Sequence, residues 1–116
     1  MVTEILSGGG RRMESLREDE QIIVQDTARS DFFGKGTLYL TTRRLVFEVD
    51  AGGLLSRSSE ARIDQPVDSI SSFGADGRKS LVVHFEGNME PSTLHVDNPE
   101  KWETAIRAVK VMSGET

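Results

Sequence analysis

Apolar and polar positions alternate over most of this chain, and the alternation stops at glycine, proline and aspartate in the manner of short strands. The sharpest case is Gly34 to Asp50, GKGTLYLTTRRLVFEVD. Leu38 and Leu40 fall on one face and Thr37, Tyr39 and Thr41 on the other. After a turn at Thr42-Arg43, Leu45, Phe47 and Val49 take the core side, which leaves Arg44, Glu48 and Asp50 to face water, with Val46 the exception on that outer face. Upstream, QIIVQDTA is rich in β-formers and leads into ARSDFFGKG, whose Ser, Asp and glycines predict a loop.

Downstream, AGGLLSRSS predicts a second loop and SEARID a polar strand with Ala61 and Ile63 turned inward. Pro66 punctuates, Val67 to Phe73 gives a strand with Val67 and Phe73 on one parity and Ile70 on the other, and GADGRK is a turn. LVVHFE and STLHVD then pair across GNMEP. Setting Phe85 opposite Leu94 and Val83 opposite Val96 turns both pairs inward and places His84 opposite His95 outside. The end of the chain changes period. Asn98 is an N-cap, Pro99 suits the first helical position, Glu100 the positive end and Gly114 the stop. Between them Trp102, Ala105, Ile106, Val109 and Met112 make one apolar stripe.

The architecture is therefore mainly β with one C-terminal α-helix, about seven antiparallel strands capped by that helix. Strands and helices do not alternate, which argues against a parallel α/β sheet, and no internal repeat is present. Residues 1–17 are expected to be a flexible N-terminal arm or short helix, because Gly8-Gly9-Gly10 resists order while Met13 to Asp19 can form a helical turn; the domain proper spans 18–113.

Composition narrows the partners. The chain has 116 residues, enough for one core, and a formal charge of −5 from 14 basic and 19 acidic residues. No global field favours nucleic acid, so any phosphate contact must come from a local cluster. Cysteine is absent, which excludes disulfides and thiolate metal sites and fits a reducing compartment. No apolar run reaches the roughly 18 residues of a membrane span, and the N-terminal apolar residues precede the arginines, the reverse of a secretory signal. A cytoplasmic location, or a peripheral one at a membrane face, is expected.

The stretch GTLYLTTRRLVFE, after an acidic EDEQIIV strand and before a terminal helix carrying Trp102, resembles the pleckstrin-homology (PH) superfold and within it the GRAM and GLUE branches. Gly36, Leu38, Leu40, Thr41, Arg44, Leu45 and Phe47 carry the resemblance, and GADGRKSLVVHF is similar to a loop and strand of GLUE domains. The resemblance covers Glu18 to Met112 and implies two near-orthogonal antiparallel sheets with the helix plugging one corner. It also implies a protein partner, ubiquitin-like or a trafficking-complex subunit, or an anionic membrane surface.

In pleckstrin-like domains basic residues around the first loop collect phosphate oxygens, because Lys and Arg bring charge and bidentate geometry to a notch. Here Arg29 and Lys35 in the first loop and Arg78 and Lys79 in the GRKS turn are the candidates. The strand GTLYLT lacks the basic residues of the usual phosphoinositide signature, so a notch between those two loops is the better expectation. Arg43 and Arg44 are strand neighbours on opposite faces and cannot clamp one anion together; Arg44 is read as bracing an edge. GRKS lacks the spacing and the following helix of a phosphate loop. His84 and His95, with Glu86 and Asp97, lack a rigid third ligand and a cleft, so they are read as exposed strand histidines rather than a metal site. Trp102 is a core anchor rather than a stacking platform. Leu54 and Leu55, adjacent in a loop after two glycines, are candidates for a membrane or partner tip. No acid pair or Ser/His/acid set is placed for catalysis, and no cofactor is expected. The expected function is a non-enzymatic adaptor that recruits a protein or an anionic headgroup through loops at the barrel rim; the alternative is a protein-interaction or oligomerisation domain without lipid affinity.

Overall fold

Strands β2 (Gly34–Thr41) and β3 (Arg44–Asp50) form the hairpin that the alternation predicts, with Leu38 opposite Phe47 and Leu40 opposite Leu45. The computed structural model describes residues 16–50 and 59–114. All four of those side chains are fully buried, each contributing about 1.5–3 kcal/mol by leaving water. Strand β1 (Ile22–Ser30) adds to β2, and β4 (Ser59–Pro66) adds to β3. A single 3-10 turn at Val67–Ser69 leads into β5 (Ile70–Ala75), then β6 (Ser80–Phe85), β7 (Ser92–His95) and the helix α1 (Pro99–Gly114).

The strands make one antiparallel sheet in the order β4-β3-β2-β1-β7-β6-β5. Among the described residues its two halves are joined as a sheet where β1 pairs with β7, at Arg29 with His95 and Ser30 with Leu94. Before that junction β1 belongs to the first half, so the sheet folds over itself there, and residues of both halves share one core with the helix. Trp102 is completely buried in that core, and its indole N–H donates to Asp26 Oδ2 at 2.9 Å, so the one polar atom of the helix anchor is satisfied. Asn98 Oδ1 accepts the N–H of Lys101 at 3.2 Å, the expected cap.

Several sequence expectations are corrected. The ARSDFFGKG segment is mostly strand: β1 continues to Ser30 and β2 begins at Gly34, leaving only Asp31, Phe32 and Phe33 as the turn. Ser30 Oγ accepts the N–H groups of Phe32 and Phe33 at 3.1 Å each, and Gly34 closes the turn at φ +88°, a conformation open to glycine. Arg44 and Glu48 do not face water, both being 5% exposed: Glu20 lies over Arg44 and is bonded to it, and the same outer face carries a small cluster of Tyr39, Val46 and Ile22. Ala61 is exposed because β4 carries an extra residue at Arg62, between the Phe47–Ile63 and Glu48–Ala61 pairs, and this bulge breaks the alternation.

The β6–β7 register also differs: Leu81, not Phe85, lies opposite Leu94, and Ser80 lies opposite His95. The slip is an even number of residues, so Val83, Phe85, Leu94 and Val96 remain inside as predicted, but His84 and His95 are not partners. Met112 is 64% exposed although it shares the spacing of Trp102 and Ile106, because the last turn of α1 runs past the edge of the core. Val67 belongs to the 3-10 turn rather than a strand, and of the expected helical turn at Met13–Asp19 the described part is a reverse turn closed by Glu20 N–H to the Arg17 carbonyl at 3.1 Å.

Candidate functional site

Cross-strand pairing places three of the sequence's functional candidates and a histidine in one neighbourhood. Arg29 on β1 lies opposite Lys35 on β2 and, on its other side, opposite His95 on β7; His95 in turn lies opposite Ser80 on β6. Residues opposite one another in a sheet project from the same face, so Lys35, Arg29 and His95 form a row across three strands. Lys79 follows on, since its carbonyl accepts the N–H of Val96 at 2.9 Å just beyond His95.

Past the Arg29–His95 pair, β1 and β7 separate and leave a cleft of about 250 Å³ between Thr27 and Asp97, rimmed by Arg29, Lys35, Lys79 and His95. Two carboxylates pair with its rim, Asp97 from within the lining and Asp31 from the turn beyond Ser30. Asp31 Oδ1 takes Arg29 Nη1 at 3.1 Å and His95 Nε2 at 3.1 Å, and Asp97 Oδ1 takes Lys79 Nζ at 3.4 Å. A carboxylate only accepts, so His95 carries its proton on Nε2, and Nδ1, 3.3 Å from Ser80 Oγ, accepts from that hydroxyl when the ring is neutral. Lys35 makes no ion pair among the described residues. The ion pairs present are largely exposed, with Arg29, Asp31, Lys79 and Asp97 side chains 57–98% accessible, so they are loose and exchangeable.

Arg78 does not join the cleft; it stands exposed in the β5–β6 turn beside Lys79. Leu54 and Leu55 lie outside the described residues. His95 was read from sequence as an ordinary strand residue facing His84, and its place beside Arg29 depends on a β1–β7 contact spanning more than sixty positions, for which the sequence carries no local signal. His84 lies instead opposite Ser72, with its Nε2 3.2 Å from the Asn88 carbonyl. Among the described residues no group of three or more His, Asp or Glu side chains is arranged to hold a metal ion.

The other end of the sheet, at the β2–β3 turn, also gathers arginine and acid, with a different outcome. Arg44 Nε and Nη2 donate to the two oxygens of Glu20 at 2.8 and 2.9 Å, and its Nη1 donates to Asp64 at 3.0 Å. Thr41 Oγ1 also donates to Glu20, and the Arg17 N–H donates to it at 3.1 Å. Burial pushes the Glu20 carboxyl up, but the hydrogen bonds from Arg44, Thr41 and Arg17 outweigh it and hold the carboxyl down at about 2. Bonding to Glu20 raises Arg44 in turn against the opposing effect of burial. Arg43 pairs with Asp19 at 2.6 Å, and the Thr42 N–H donates to the Gln21 carbonyl. Residues 17–21 are thereby fastened over the turn. A wider depression of about 800 Å³ lies here, and two of the three arginines on its wall, Arg43 and Arg44, are already paired with carboxylates.

No family model matches the chain, and no curated protein matches it by sequence. Among solved structures it is similar to the Vps36 N-terminal PH domain, at 19% identity and a TM-score of 0.56 over 84% of this chain and 85% of that one. The protein has a PH-like fold. The Slm1 PH domain, solved in complex with inositol-4-phosphate (15% identity, TM-score 0.49, 79% of this chain and 96% of that one), and the PH domain from TgAPH (21%, 0.47, 81% and 84%) are looser likenesses. On this PH-like fold the cationic cleft opens at the seam between the halves of the barrel, and the Glu20–Arg44 pair locks the opposite end of the first half.

Proposed function

We propose that this protein is a non-enzymatic recruitment module of GRAM or GLUE type that binds the phosphorylated headgroup of an anionic phospholipid in the cleft where β1 and β7 part. Arg29, Lys35 and Lys79 are the phosphate ligands; His95, held by Asp31 and Ser80, lines the cleft beside them, and Arg78 stands outside it in the turn next to Lys79. The observation that carries this reading is the convergence of three cations from separate segments on one cleft, with Lys35 held there without a carboxylate of its own among the described residues. A phosphate monoester supplies several acceptor oxygens, which suits cations arriving from β1, β2 and the β5–β6 turn at different angles. Residues 18–113 are the binding domain in this reading, with 1–17 as its arm, and the protein works as a peripheral component at the cytoplasmic face of a membrane.

Asp31 and Asp97 oppose the three cations, and the whole chain is acidic, so affinity for a single headgroup is weak and recruitment relies on a second contact or on avidity. The test is sedimentation with phosphatidylcholine vesicles, with and without a phosphoinositide, at two salt concentrations. Binding that requires the phosphoinositide, weakens with salt and disappears in the Lys35→Glu, Lys79→Glu variant supports the reading. Absence of binding to every lipid composition refutes it and leaves a protein-interaction domain as the alternative.

A further inference from the structure

His95 is the one side chain at the β1–β7 cleft whose type changes charge near neutral pH. Guanidinium, ammonium and carboxylate groups ordinarily hold their charge between about pH 5 and 8, and imidazole does not. The groups that face it come from every segment around it. Arg29 lies opposite on β1 with Lys35 beyond it on β2, Asp31 reaches over from the β1–β2 turn, Lys79 precedes its β6 partner Ser80, and Asp97 follows on its own segment.

Its hydrogen bonds suit both charge states. Nε2 stands 3.1 Å from Asp31 Oδ1, which accepts from it whether the ring is neutral or charged. Nδ1 stands 3.3 Å from Ser80 Oγ. A hydroxyl can donate to a bare ring nitrogen and, after rotating, accept from a protonated one, so a second proton leaves no polar atom unmatched. A partner limited to one role, such as an ammonium or a carbonyl, would hold the ring in a single state. The ring at this position can therefore titrate in place.

The charge balance gives that titration a consequence. Arg29, Lys35 and Lys79 bring three positive charges to the cleft, and Asp31 and Asp97 two negative ones. A neutral imidazole leaves a single net positive charge, and an imidazolium doubles it. Asp31 Oδ1 is shared, at 3.1 Å from both Arg29 Nη1 and His95 Nε2, so a charged ring offsets the carboxylate and weakens its hold on Arg29. The imidazole is also more sheltered than its neighbours, 27% accessible against 57–75% for Arg29, Asp31 and Lys79, so water screens its charge less. We infer that His95 is a proton-operated switch on the cleft: with the ring charged, Arg29 is released from Asp31 toward the ligand and an anionic headgroup binds more tightly. The switch rests on the reading of the cleft as a phosphate site and adds the regulation of that site.

The test is calorimetric titration with soluble inositol trisphosphate at about pH 5.5 and about pH 7.5, either side of the usual imidazole range. It compares the unaltered protein with His95→Gln, His95→Lys and His84→Gln, the last altering an imidazole that lies away from the cleft, opposite Ser72. The ligand's own protonation is common to all four proteins, so differences in the acid-to-neutral affinity ratio report the ring. That ratio is expected to be roughly five- to tenfold larger in the unaltered protein and in His84→Gln than in His95→Gln, the effect of one partly screened charge close to a phosphate. His95→Lys, with a fixed charge in the same place, should show the same low ratio as His95→Gln. A ratio in either His95 variant equal to that of the unaltered protein, or a ratio lost in His84→Gln, overturns the switch while the cleft reading stands if Lys35→Glu, Lys79→Glu still abolishes binding. Failure of the unaltered protein to bind inositol trisphosphate at either pH overturns both.

Discussion

The two ends of the first half-sheet each collect arginine or lysine beside carboxylates, and the comparison separates scaffold charge from site charge. At the β2–β3 turn, Arg44 is 6% accessible in its side chain and Glu20 not at all; the two meet through paired hydrogen bonds. At the cleft, Arg29 and Lys79 are more than half accessible, each with one carboxylate, and Lys35 with none among the described residues. Removing a buried partner leaves a charge that water cannot reach, whereas removing an exposed one leaves a charge that water solvates. The first arrangement serves to hold residues 17–21 onto the barrel, and the second leaves charge available to a ligand.

The sharpest way to break the comparison is at Glu20. Glu20→Gln takes from Arg44 its buried carboxylate, the half-exposed Asp64 being no substitute, and a loss of about 3–5 kcal/mol is expected in urea or thermal unfolding. The double variant Glu20→Gln, Arg44→Met should lose less than the sum of the two single changes, because it removes both charges. Additivity there would mean that the two residues act independently despite their 2.8 Å bond. Acid provides the same test without mutation. The folded carboxyl titrates near 2, below its ordinary 4.5, so its stabilising contribution is full above about 4.5 and is lost as pH falls from there toward 2. A few kcal/mol should disappear across that window, and the Glu20→Gln variant should lack this part of the pH dependence.

Gly36 gives a second structural test, on the strand that joins the two ends. A Cβ there would run into the Glu48 carbonyl of β3, so Gly36→Ala must push β2 and β3 apart, at an expected cost of about 1–3 kcal/mol measured by denaturant unfolding. Unchanged stability would show that the hairpin can shift freely, and with it the Lys35 position one residue away.

How far the sequence foretells this division follows from the range of each interaction. The hairpin, its inward leucines and the capped helix with Trp102 are set by local period and end signals, and all are present. Arg29, Lys35 and Lys79 could be nominated because they flank turns. Their meeting beside His95 requires the β1–β7 junction, which no stretch of sequence encodes by itself. The Glu20–Arg44 pair escaped for the opposite reason: alternation places Arg44 on the outer face correctly, but cannot reveal that residues 17–21 fold over that face and bury it. The bulge at Arg62 and the four-residue slip between β6 and β7 are likewise decided by cross-strand fit rather than by either strand alone.

At the cleft the expected effects fall on binding rather than on folding. Lys35→Glu, Lys79→Glu should leave the unfolding midpoint nearly unchanged, within about 0.5 kcal/mol per site, while weakening vesicle binding by about 2–4 kcal/mol. A fall in stability comparable to that of Glu20→Gln would erase the distinction between the two ends.

The smallest expected effect is the most diagnostic of direction. Asp97 is 98% accessible and takes part in the cleft only through Lys79, at 3.4 Å, so Asp97→Asn keeps the shape and removes the competitor of any incoming anion. If Lys79 serves a ligand, this variant should bind phosphoinositide vesicles about two- to fivefold more tightly at low salt, with the gain fading as salt rises. If Lys79 instead belongs to the scaffold, as Arg44 does, losing its carboxylate should lower the unfolding midpoint and leave vesicle binding where it was. Unfolding and sedimentation on the same preparation decide between these, because the two roles move the two measurements in different ways.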